Sequence, residues 1–378
     1  MTHRIQAPSL KRWLQEHFSN RGLTLIAMLL AGISTDLKVG ADTFVFLSEA
    51  GEQQIVTYRH NEQNGQLTRT SEMATEGEPG FLAANRNGTR LFAAYRSTGD
   101  LTSYQIDPKT GALNLISKVP AGADPAYVAL DRSESFLMSA YYRAGKVGLH
   151  RIGSRGELSA ESVHWSRTNL KAHAILTDPG NQWALAPHTG PNAVYIFSMD
   201  AEEGTLLPSA PPLTYTGTLT GPRHLQFHPS LKRVYFNYEQ GSAVAVFEFD
   251  DDVGQIRPLQ TLSTLPSTHL TRNSCADLEI TPDGRFLYSA NRGHDSIAGF
   301  RIHETSGKLE MIATTPTEKT PRCLTITDSG AWLIAAGQDS DHLQSYRIHP
   351  QSGTLDSVGR LACGRLPWAL LAVTPRSL

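Results

Sequence analysis

A unit of about 45 to 50 residues recurs along this chain, and a repeat of that length is typical of β-propellers and solenoids. Successive copies begin at steps of 45 to 54 residues, so length variation is confined to a few loops. The copies open at Pro79, Pro125, His173, Pro222, Ala276, Pro321 and Pro367. Seven copies predict seven blades.

Each copy contains the same series of short strands and turns. In the copy from Cys275 to Ala313, the segments LEIT, FLYSA and SIAGFRI alternate apolar and polar residues, which is the period of a half-buried strand. Pro282-Asp283-Gly284 supplies a tight turn between the first two strands. A Gly-Xaa-Leu or Gly-Xaa-Ile turn follows the third strand of every copy, at Gly65, Gly111, Gly156, Gly204, Gly254, Gly307 and Gly353.

The two ends of the repeat region complement each other. The β pattern begins at Thr43 without an opening strand, and the tail from Pro367 to Thr374, PWALLAVT, reads as the missing strand. Sharing one blade between the termini closes the ring and removes open sheet edges. The sequence therefore predicts an all-β fold, a closed seven-bladed β-propeller over residues 42–378 with terminal strands sharing one blade.

Composition excludes several classes of partner and cofactor. The formal charge is −2, charged residues make up 19%, and no Lys/Arg-rich run occurs, so we expect no nucleic-acid partner. The three cysteines lie in different repeats without Cys-Xaa-Xaa-Cys spacing, which argues against a zinc site or a redox pair. They are Cys275, Cys323 and Cys363. We expect no metal and no other cofactor.

Residues 1–41 precede the repeats and form an N-terminal extension. An apolar stretch at 23–33 follows Lys11, Arg12 and Arg21. With Val39-Gly40-Ala41 as a cleavage region, this pattern resembles a secretory signal and predicts a periplasmic or secreted protein. The apolar stretch is too short for a stable membrane span. The long leading segment and Lys38 favour the alternative, a short amphipathic helix on a cytoplasmic protein.

Polar residues cluster where the innermost strands begin and the second strands end, two positions that surround one mouth of a propeller. Several guanidinium groups in one cavity repel one another unless an anion or carboxylates neutralise them. The pattern therefore predicts an anionic ligand, with a lattice of Arg-Glu pairs between blades as the alternative. The residues are His173, His188, Arg223, His224, Glu239, Arg292, His294 and Arg322.

Several of these residues lie in segments that resemble a known family. The segments are Gly221-Pro222-Arg223-His224, Asn237-Tyr238-Glu239, Asn291-Arg292-Gly293-His294 and Pro321-Arg322. They are similar to signatures of the seven-bladed propeller lactonases, the family of bacterial 6-phosphogluconolactonases, which also contains fungal carboxy-muconate lactonizing enzymes. The resemblance extends from about Thr43 to Thr374. Two departures are the single histidine in Lys171-Ala-His-Ala and the tyrosine at Tyr238.

The resemblance implies a metal-independent site in which His173, Arg223, Glu239 and Arg292 are catalytic. Lactone hydrolysis needs a base for the attacking water and donors for the oxyanion. We favour His173 for proton transfer, because imidazole titrates near neutral pH, with Glu239 as its partner or as the group that orients water. Arg223 and Arg292 would stabilise the oxyanion or hold a substrate anion. Substrate-binding roles are expected for His188, His224, His294 and Arg322.

The expected function is hydrolysis of a sugar-acid lactone, foremost 6-phosphogluconolactone to 6-phosphogluconate in the pentose phosphate pathway. Export would favour a periplasmic aldonolactonase instead, because phosphorylated sugar lactones are cytosolic intermediates. Two further alternatives stay open. One is a muconate lactonizing enzyme acting as a cycloisomerase, and the other is a binding propeller without catalytic activity.

Overall fold

The computed structural model describes residues 42–122 and 124–376. Within these residues, twenty-eight strands form seven antiparallel four-stranded sheets, and a single 3-10 turn, Ala50–Glu52, interrupts them. The innermost strands of most neighbouring sheets contact one another. The predicted all-β, closed seven-bladed propeller is confirmed. The extension at 1–41 lies outside the described residues, so its boundary with the propeller stays a prediction.

The blades are numbered from the one that both chain ends share. Blade 1 contains β1 (Thr43–Glu49), β2 (Gln54–His60), β3 (Leu67–Ala74) and, from the C-terminus, β28 (Pro367–Val373). Blade 2 contains β4 (Pro79–Ala84), β5 (Arg90–Tyr95), β6 (Asp100–Ile106) and β7 (Leu113–Pro120). Blade 3 contains β8 (Pro125–Leu130), β9 (Phe136–Tyr141), β10 (Lys146–Arg151) and β11 (His164–Arg167).

The remaining blades follow in the same order of strands from the axis outward. Blade 4 contains β12 (Leu176–Thr177), β13 (Trp183–His188), β14 (Ala193–Asp200) and β15 (Thr205–Tyr215). Blade 5 contains β16 (Pro222–Phe227), β17 (Arg233–Tyr238), β18 (Ala243–Asp250) and β19 (Gln255–Ser263). Blade 6 contains β20 (Ser274–Ile280), β21 (Phe286–Arg292), β22 (Ser296–Ile302) and β23 (Leu309–Pro316). Blade 7 contains β24 (Pro321–Ile326), β25 (Trp332–Gly337), β26 (His342–Ile348) and β27 (Leu355–Ala362).

The C-terminal strand closes the ring as predicted. Strand β28 pairs antiparallel with β1, and Phe44 lies opposite Val373. The hydroxyl oxygens of Thr43 and Thr374 are 3.0 Å apart at the end of this pairing. Strand β28 thus supplies the innermost strand of blade 1, which completes this sheet to four strands.

The repeated glycine turns join neighbouring blades. Gly65 and Gly254 have φ values of 73° and 64°, a conformation that glycine adopts without steric cost. The ring of Trp332 covers Gly65, and that of Trp183 covers Gly254, so closely that an added Cβ would overlap the indole. Each glycine therefore provides both the turn geometry and the flat surface on which an aromatic ring of the preceding blade packs.

Two innermost strands depart from the predicted starts. In blade 4 the strand is reduced to Leu176–Thr177, whereas the repeat predicts a start at His173. Pro187 of β13 accepts a hydrogen bond from the His173 backbone N–H, but it has no N–H to return, so the ladder is broken there. In blade 6 the strand begins at Ser274, two residues before the predicted Ala276.

No helix in the described part of the chain is long and apolar enough to cross a membrane.

Candidate active site

Bulges in the innermost strands turn consecutive side chains toward the axis. The pairing of β16 with β17 shifts between Pro222 and Leu225, so that Arg223 and His224 both line a small cavity on the axis. In blade 6, the pairing of β20 with β21 shifts in the same way between Cys275 and Leu278. The cavity is lined by Phe81, Ala126, His173, Arg223, His224, Asp277, Arg322, Cys323 and Trp368, and we call it the axial cavity.

Glu239 connects two guanidinium groups from different strands. Arg292, at the end of β21, donates from Nη2 to Glu239 Oε1 at 3.0 Å, and also to the Cys275 carbonyl at 3.0 Å. Arg223 Nε lies 3.8 Å from Glu239 Oε2, an ion-pair distance that is too long for a hydrogen bond. The structure thus brings together three of the four residues predicted to be catalytic.

Arg223, Arg292 and Glu239 form a cluster in which some polar atoms have no hydrogen-bond partner among the described residues. Arg223 Nε, Arg292 Nε and Glu239 Oε2 are buried without a hydrogen bond. Burial, and secondarily the nearby Arg292, lowers the pKa of Arg223 to about 10. Buried polar groups in folded proteins are almost always hydrogen-bonded. Two donors and one acceptor at the same place therefore indicate where polar atoms of a ligand or water bind.

His173 lies beside this cluster but does not bond to Glu239 as predicted. Its ring centroid is 5.2 Å from that of His224 and 5.7 Å from that of Tyr142, and its Nδ1 is buried without a partner. Burial, followed by the positive charge of Arg223, lowers the pKa of His173 well below its usual value. The imidazole is therefore neutral in the free protein, and its proton affinity is reduced.

His224 is held between an acid and a guanidinium. Its Nδ1 donates to Asp277 Oδ1 at 2.7 Å, and its Nε2 accepts from Arg223 Nη1 at 3.0 Å. Asp277 Oδ2 accepts the Leu324 backbone N–H at 2.9 Å, which fixes the carboxylate. Burial and the charge of Arg223 lower the pKa of His224 to about 4, so this ring is neutral. Both ring nitrogens are engaged by the protein, and His224 orients Arg223 rather than offering a nitrogen to substrate.

Two aromatic rings close the axis around His224. Phe81 and Tyr127 stack at 4.0 Å between centroids, and each meets the His224 ring edge-on, at 5.6 and 5.3 Å. The axial cavity measures only about 10 Å³, roughly the room needed for a single water. The body of a sugar lactone must therefore lie above this level, at the mouth, with only its terminal polar atoms reaching the residues of the axial cavity.

The larger cavity at this mouth lies over blades 1 to 3. It measures about 320 Å³, within the range of roughly 300 to 1,000 Å³ that is usual for small-molecule sites. Its lining consists of Ala50, Glu78, Pro79, Gly80, Arg96, Ser97, Asp124, Arg143 and Trp368, and we call it the mouth cavity. Trp368 lines both cavities, so its indole marks the route from one to the other.

Of the predicted residues not yet described, Arg322 faces the site, whereas His188 and His294 do not. Arg322 lines the axial cavity and lies over the Trp368 ring. His188 is fully buried and bonds Thr168 Oγ1 through Nε2 and the Ala186 carbonyl through Nδ1, each at 2.8 Å. His294 is 2.7 Å from Ser296 Oγ. Glu239 and Arg292 line neither cavity but are joined to Arg223, which lines the axial cavity. His188 and His294 line neither cavity and do not bond to these residues, so the substrate-binding role predicted for them has no support in the geometry.

Sequence reasoning overlooked three residues of the site: Arg96, Asp277 and Trp368. All three occupy repeat positions that predict an axial location, but an acid that orients a histidine cannot be distinguished from a turn acid by spacing alone.

Among the described residues, one group of three carboxylates is close enough together to share a metal ion: Asp250, Asp251 and Asp252. Asp250 is the last residue of β18, at the end of that strand far from Glu239. The expectation of a metal-free site stays a prediction.

Comparison with known proteins identifies relatives of the same architecture. A 6-phosphogluconolactonase of Bacillus subtilis is 30% identical over 160 residues, which are 42% of this chain and 45% of that protein. The chain thus matches about half the length of this relative. A 6-phosphogluconolactonase of Enterobacter sp. (strain 638) is 31% identical over 279 residues, covering 74% of this chain and 70% of that protein.

A solved structure and a family model agree with these relatives. The structure of a periplasmic gluconolactonase from Pseudomonas aeruginosa superposes with a TM-score of 0.81 at 25% identity, covering 88% of this chain and 99% of that chain. The family model described as lactonase, 7-bladed beta-propeller, matches residues 38–368. The chain belongs to the seven-bladed β-propeller lactonase family.

Proposed function

We propose that this protein is a metal-independent lactonase that hydrolyses a sugar-acid lactone, with 6-phosphogluconolactone as the first candidate substrate. The observation that carries the proposal is the bridging of Arg223 and Arg292 by Glu239, with unpaired polar atoms of all three next to a neutral His173. Family membership and relatives described as 6-phosphogluconolactonases support the reaction class.

The residues divide the chemistry of ester hydrolysis between them. His173 removes a proton from water as the water oxygen attacks the carbonyl carbon of the lactone. Arg223 and Arg292 donate to the oxygen that becomes negative, and Glu239 holds the two guanidiniums in place. When the ring C–O bond breaks, the imidazolium of His173 returns the proton to the departing alkoxide. The product is the open-chain hydroxy acid.

The ligand preference of this site follows from its charge. Arg223 and Arg292 share the carboxylate of Glu239. With Arg322 nearby, the guanidiniums of the site outnumber the carboxylates of Glu239 and Asp277, so the free protein has an excess positive charge there. Charge that develops on the carbonyl oxygen offsets this excess in the transition state. The cluster therefore stabilises the transition state more than it stabilises the neutral ester, as catalysis requires.

The assay that tests the proposal measures acid release at constant pH, with spontaneous ring opening subtracted. Substrates are 6-phosphogluconolactone and gluconolactone, each with and without a chelator, and a carboxy-muconate, whose lactonization consumes a proton and is therefore followed as proton uptake. We expect rapid, chelator-insensitive opening of a sugar lactone, lost in Arg292→Ala and retained in the surface control Arg285→Ala. Turnover of the muconate alone would establish the lactonizing alternative, and turnover of none would leave a binding propeller.

A second candidate substrate is an unphosphorylated aldonolactone. It is favoured by the similarity to a protein described as a periplasmic gluconolactonase. Substrate and compartment are linked, since a phosphorylated lactone belongs in the cytoplasm and an aldonolactone in the periplasm, where residues 1–41 would serve as the export signal. Subcellular fractionation of the native host, with N-terminal sequencing of the recovered protein, distinguishes the two.

A further inference from the structure

Arg322 stands out among the arginines of the site, because no carboxylate of the described residues lies within ion-pair distance of it. Arg223 and Arg292 share Glu239, and Arg96 pairs with Asp124 at 3.1 Å. The guanidinium of Arg322 instead donates to the neutral Gln338 Oε1 at 3.2 Å.

The surroundings of Arg322 make its positive charge energetically unfavourable unless an anion lies beside it. Burial lowers its pKa well below the usual value, and the positive charges of Arg223, Arg292 and Arg96 act in the same direction. An arginine nevertheless keeps its charge in proteins. A partly buried cation that faces other cations is costly, and an anion bound beside it would remove that cost.

Trp368 determines which atoms of Arg322 are available. The guanidinium carbon lies 3.7 Å from the centroid of the indole, so one face of the cation is covered by the ring. Stacking of this kind leaves the N–H groups at the edge of the guanidinium plane free to bond a planar or tetrahedral anion. Trp368 lines both cavities and Arg322 lines the axial cavity, so these donors lie near the point where the two cavities adjoin.

Arg96 extends the positive region into the mouth cavity. Its guanidinium carbon is 6.0 Å from the centroid of the Trp368 ring, and its partner Asp124 also lies 3.6 Å from Arg143. One carboxylate thus serves two guanidiniums. Arg143 and Glu78 are both exposed at the rim, where solvent and salt screen their charges.

We infer that Arg322 and Arg96, both against the Trp368 indole, form a subsite for a phosphate monoester on the non-reacting end of the substrate. This inference rests on the proposed lactonase function. In a sugar-acid lactone the acid group is consumed in the ring ester, so an unphosphorylated lactone is neutral and cannot neutralise Arg322. A phosphate monoester has close to two negative charges at neutral pH and matches the excess at these two arginines.

The subsite divides the mouth into two functional parts. Arg223, Arg292 and Glu239 act on the ester, whereas Arg322 and Arg96 hold the phosphate and select the phosphorylated substrate. Phosphate binding also lowers the positive potential at His173, because Arg322 and Arg96 both depress proton affinity there. The phosphorylated substrate therefore strengthens the base that acts on it.

The first test measures equilibrium binding and needs no turnover. Calorimetric titration at fixed ionic strength compares 6-phosphogluconate with gluconate in the wild-type chain, Arg322→Gln, Arg322→Lys and the surface control Arg285→Gln. We expect the wild-type chain to prefer the phosphorylated acid by at least about tenfold, as charge-assisted guanidinium contacts allow. The preference should be lost in Arg322→Gln, partly restored in Arg322→Lys and unchanged in Arg285→Gln.

The second test is kinetic and separates this inference from the proposed function. In Arg322→Gln, the ratio of kcat/KM for 6-phosphogluconolactone to kcat/KM for gluconolactone should fall at least about tenfold, while both values stay within about threefold of the wild type in the surface control Arg285→Gln. Equal losses on both lactones, or an unchanged phosphate preference in a folded variant, would overturn the subsite. If the wild-type chain opens neither lactone but Arg322 still governs phosphate binding, the subsite stands and the lactonase function fails.

Discussion

Arg292 Nη2 lies 3.0 Å from Glu239 Oε1, and this contact joins blade 6 to blade 5 at the mouth of the propeller. The same carboxylate faces Arg223 Nε at 3.8 Å. A single acid that serves two guanidiniums positions both without neutralising both. An excess positive charge held in place by a fixed acid is suited to stabilise a developing oxyanion.

Replacing Glu239 tests this arrangement. Glu239→Gln removes the charge that holds both arginines, and we expect kcat/KM on the preferred lactone to fall by roughly 10² or more. The matched control is Glu248→Gln, because Glu248 forms a more exposed pair with Arg233 at 3.7 Å, away from the mouth. A fall of less than about threefold in Glu239→Gln, with the fold intact, would contradict a catalytic role for the cluster.

Replacing Asp277 tests the orientation of Arg223 through His224. In Asp277→Asn the His224 Nδ1–H loses its charged acceptor, so we expect about a tenfold fall in kcat, with partial recovery in Asp277→Glu. Nitrogen-15 NMR provides a direct readout, because the geometry requires neutral His224 with the proton on Nδ1 at pH 7. A doubly protonated His224 at that pH would contradict the assignment.

The pH dependence of activity follows from the environment of His173. A base must be deprotonated to act, and burial and Arg223 lower the pKa of His173, so kcat/KM should hold as pH falls through 6.5 and decline only at lower pH. A bound phosphorylated lactone offsets the positive charges of Arg322 and Arg96 and therefore raises the pKa of His173 in the complex. The decline of kcat on the acid side should then lie at higher pH than the decline of kcat/KM. An acid limb of kcat/KM near or above 6.5 would contradict this account.

The glycine turns lead to a prediction about stability. Gly65 and Gly122 both have positive φ, 73° and 68°, but a Cβ on Gly65 would overlap the Trp332 ring, whereas one on Gly122 has nothing within 4 Å. Gly122→Ala should cost about 1 kcal/mol through backbone strain alone. Gly65→Ala should cost roughly 1 to 3 kcal/mol more, because the core at Trp332 is overpacked. Thermal unfolding of the two variants measures the difference, and equal losses would contradict the packing role.

The sequence predicted the architecture because the repeat is encoded locally. Strand alternation, glycine turns and the complementary ends require only short-range chemistry, and β28 pairs with β1 as expected. The blade 4 departure depends on a single missing N–H at Pro187, which spacing does not reveal. A repeat alignment shows where strands recur, but not which ladder bonds the residue types allow.

The site was predicted less completely than the fold. Repeat positions placed Arg223, Glu239 and Arg292 together correctly. The bulge that turns His224 toward Asp277, and the stacking of Arg322 on Trp368, depend on side-chain geometry between blades. Residues that come from distant parts of the sequence meet there, and no local pattern encodes their distances. His188 and His294 resemble ligands in sequence but are occupied by nearby hydroxyl and backbone groups.

In the proposed reaction, His173 acts as the base and Arg223 and Arg292, held by Glu239, stabilise the oxyanion of the opening lactone. The most direct measurement is the initial rate of acid release from 6-phosphogluconolactone, above the spontaneous rate, by the wild-type chain and by His173→Ala. The account predicts fast enzymatic opening that falls by roughly 10² or more in His173→Ala, as expected for loss of a general base. Equal rates in the two proteins, or no rate above the spontaneous one in the wild-type chain, would contradict it.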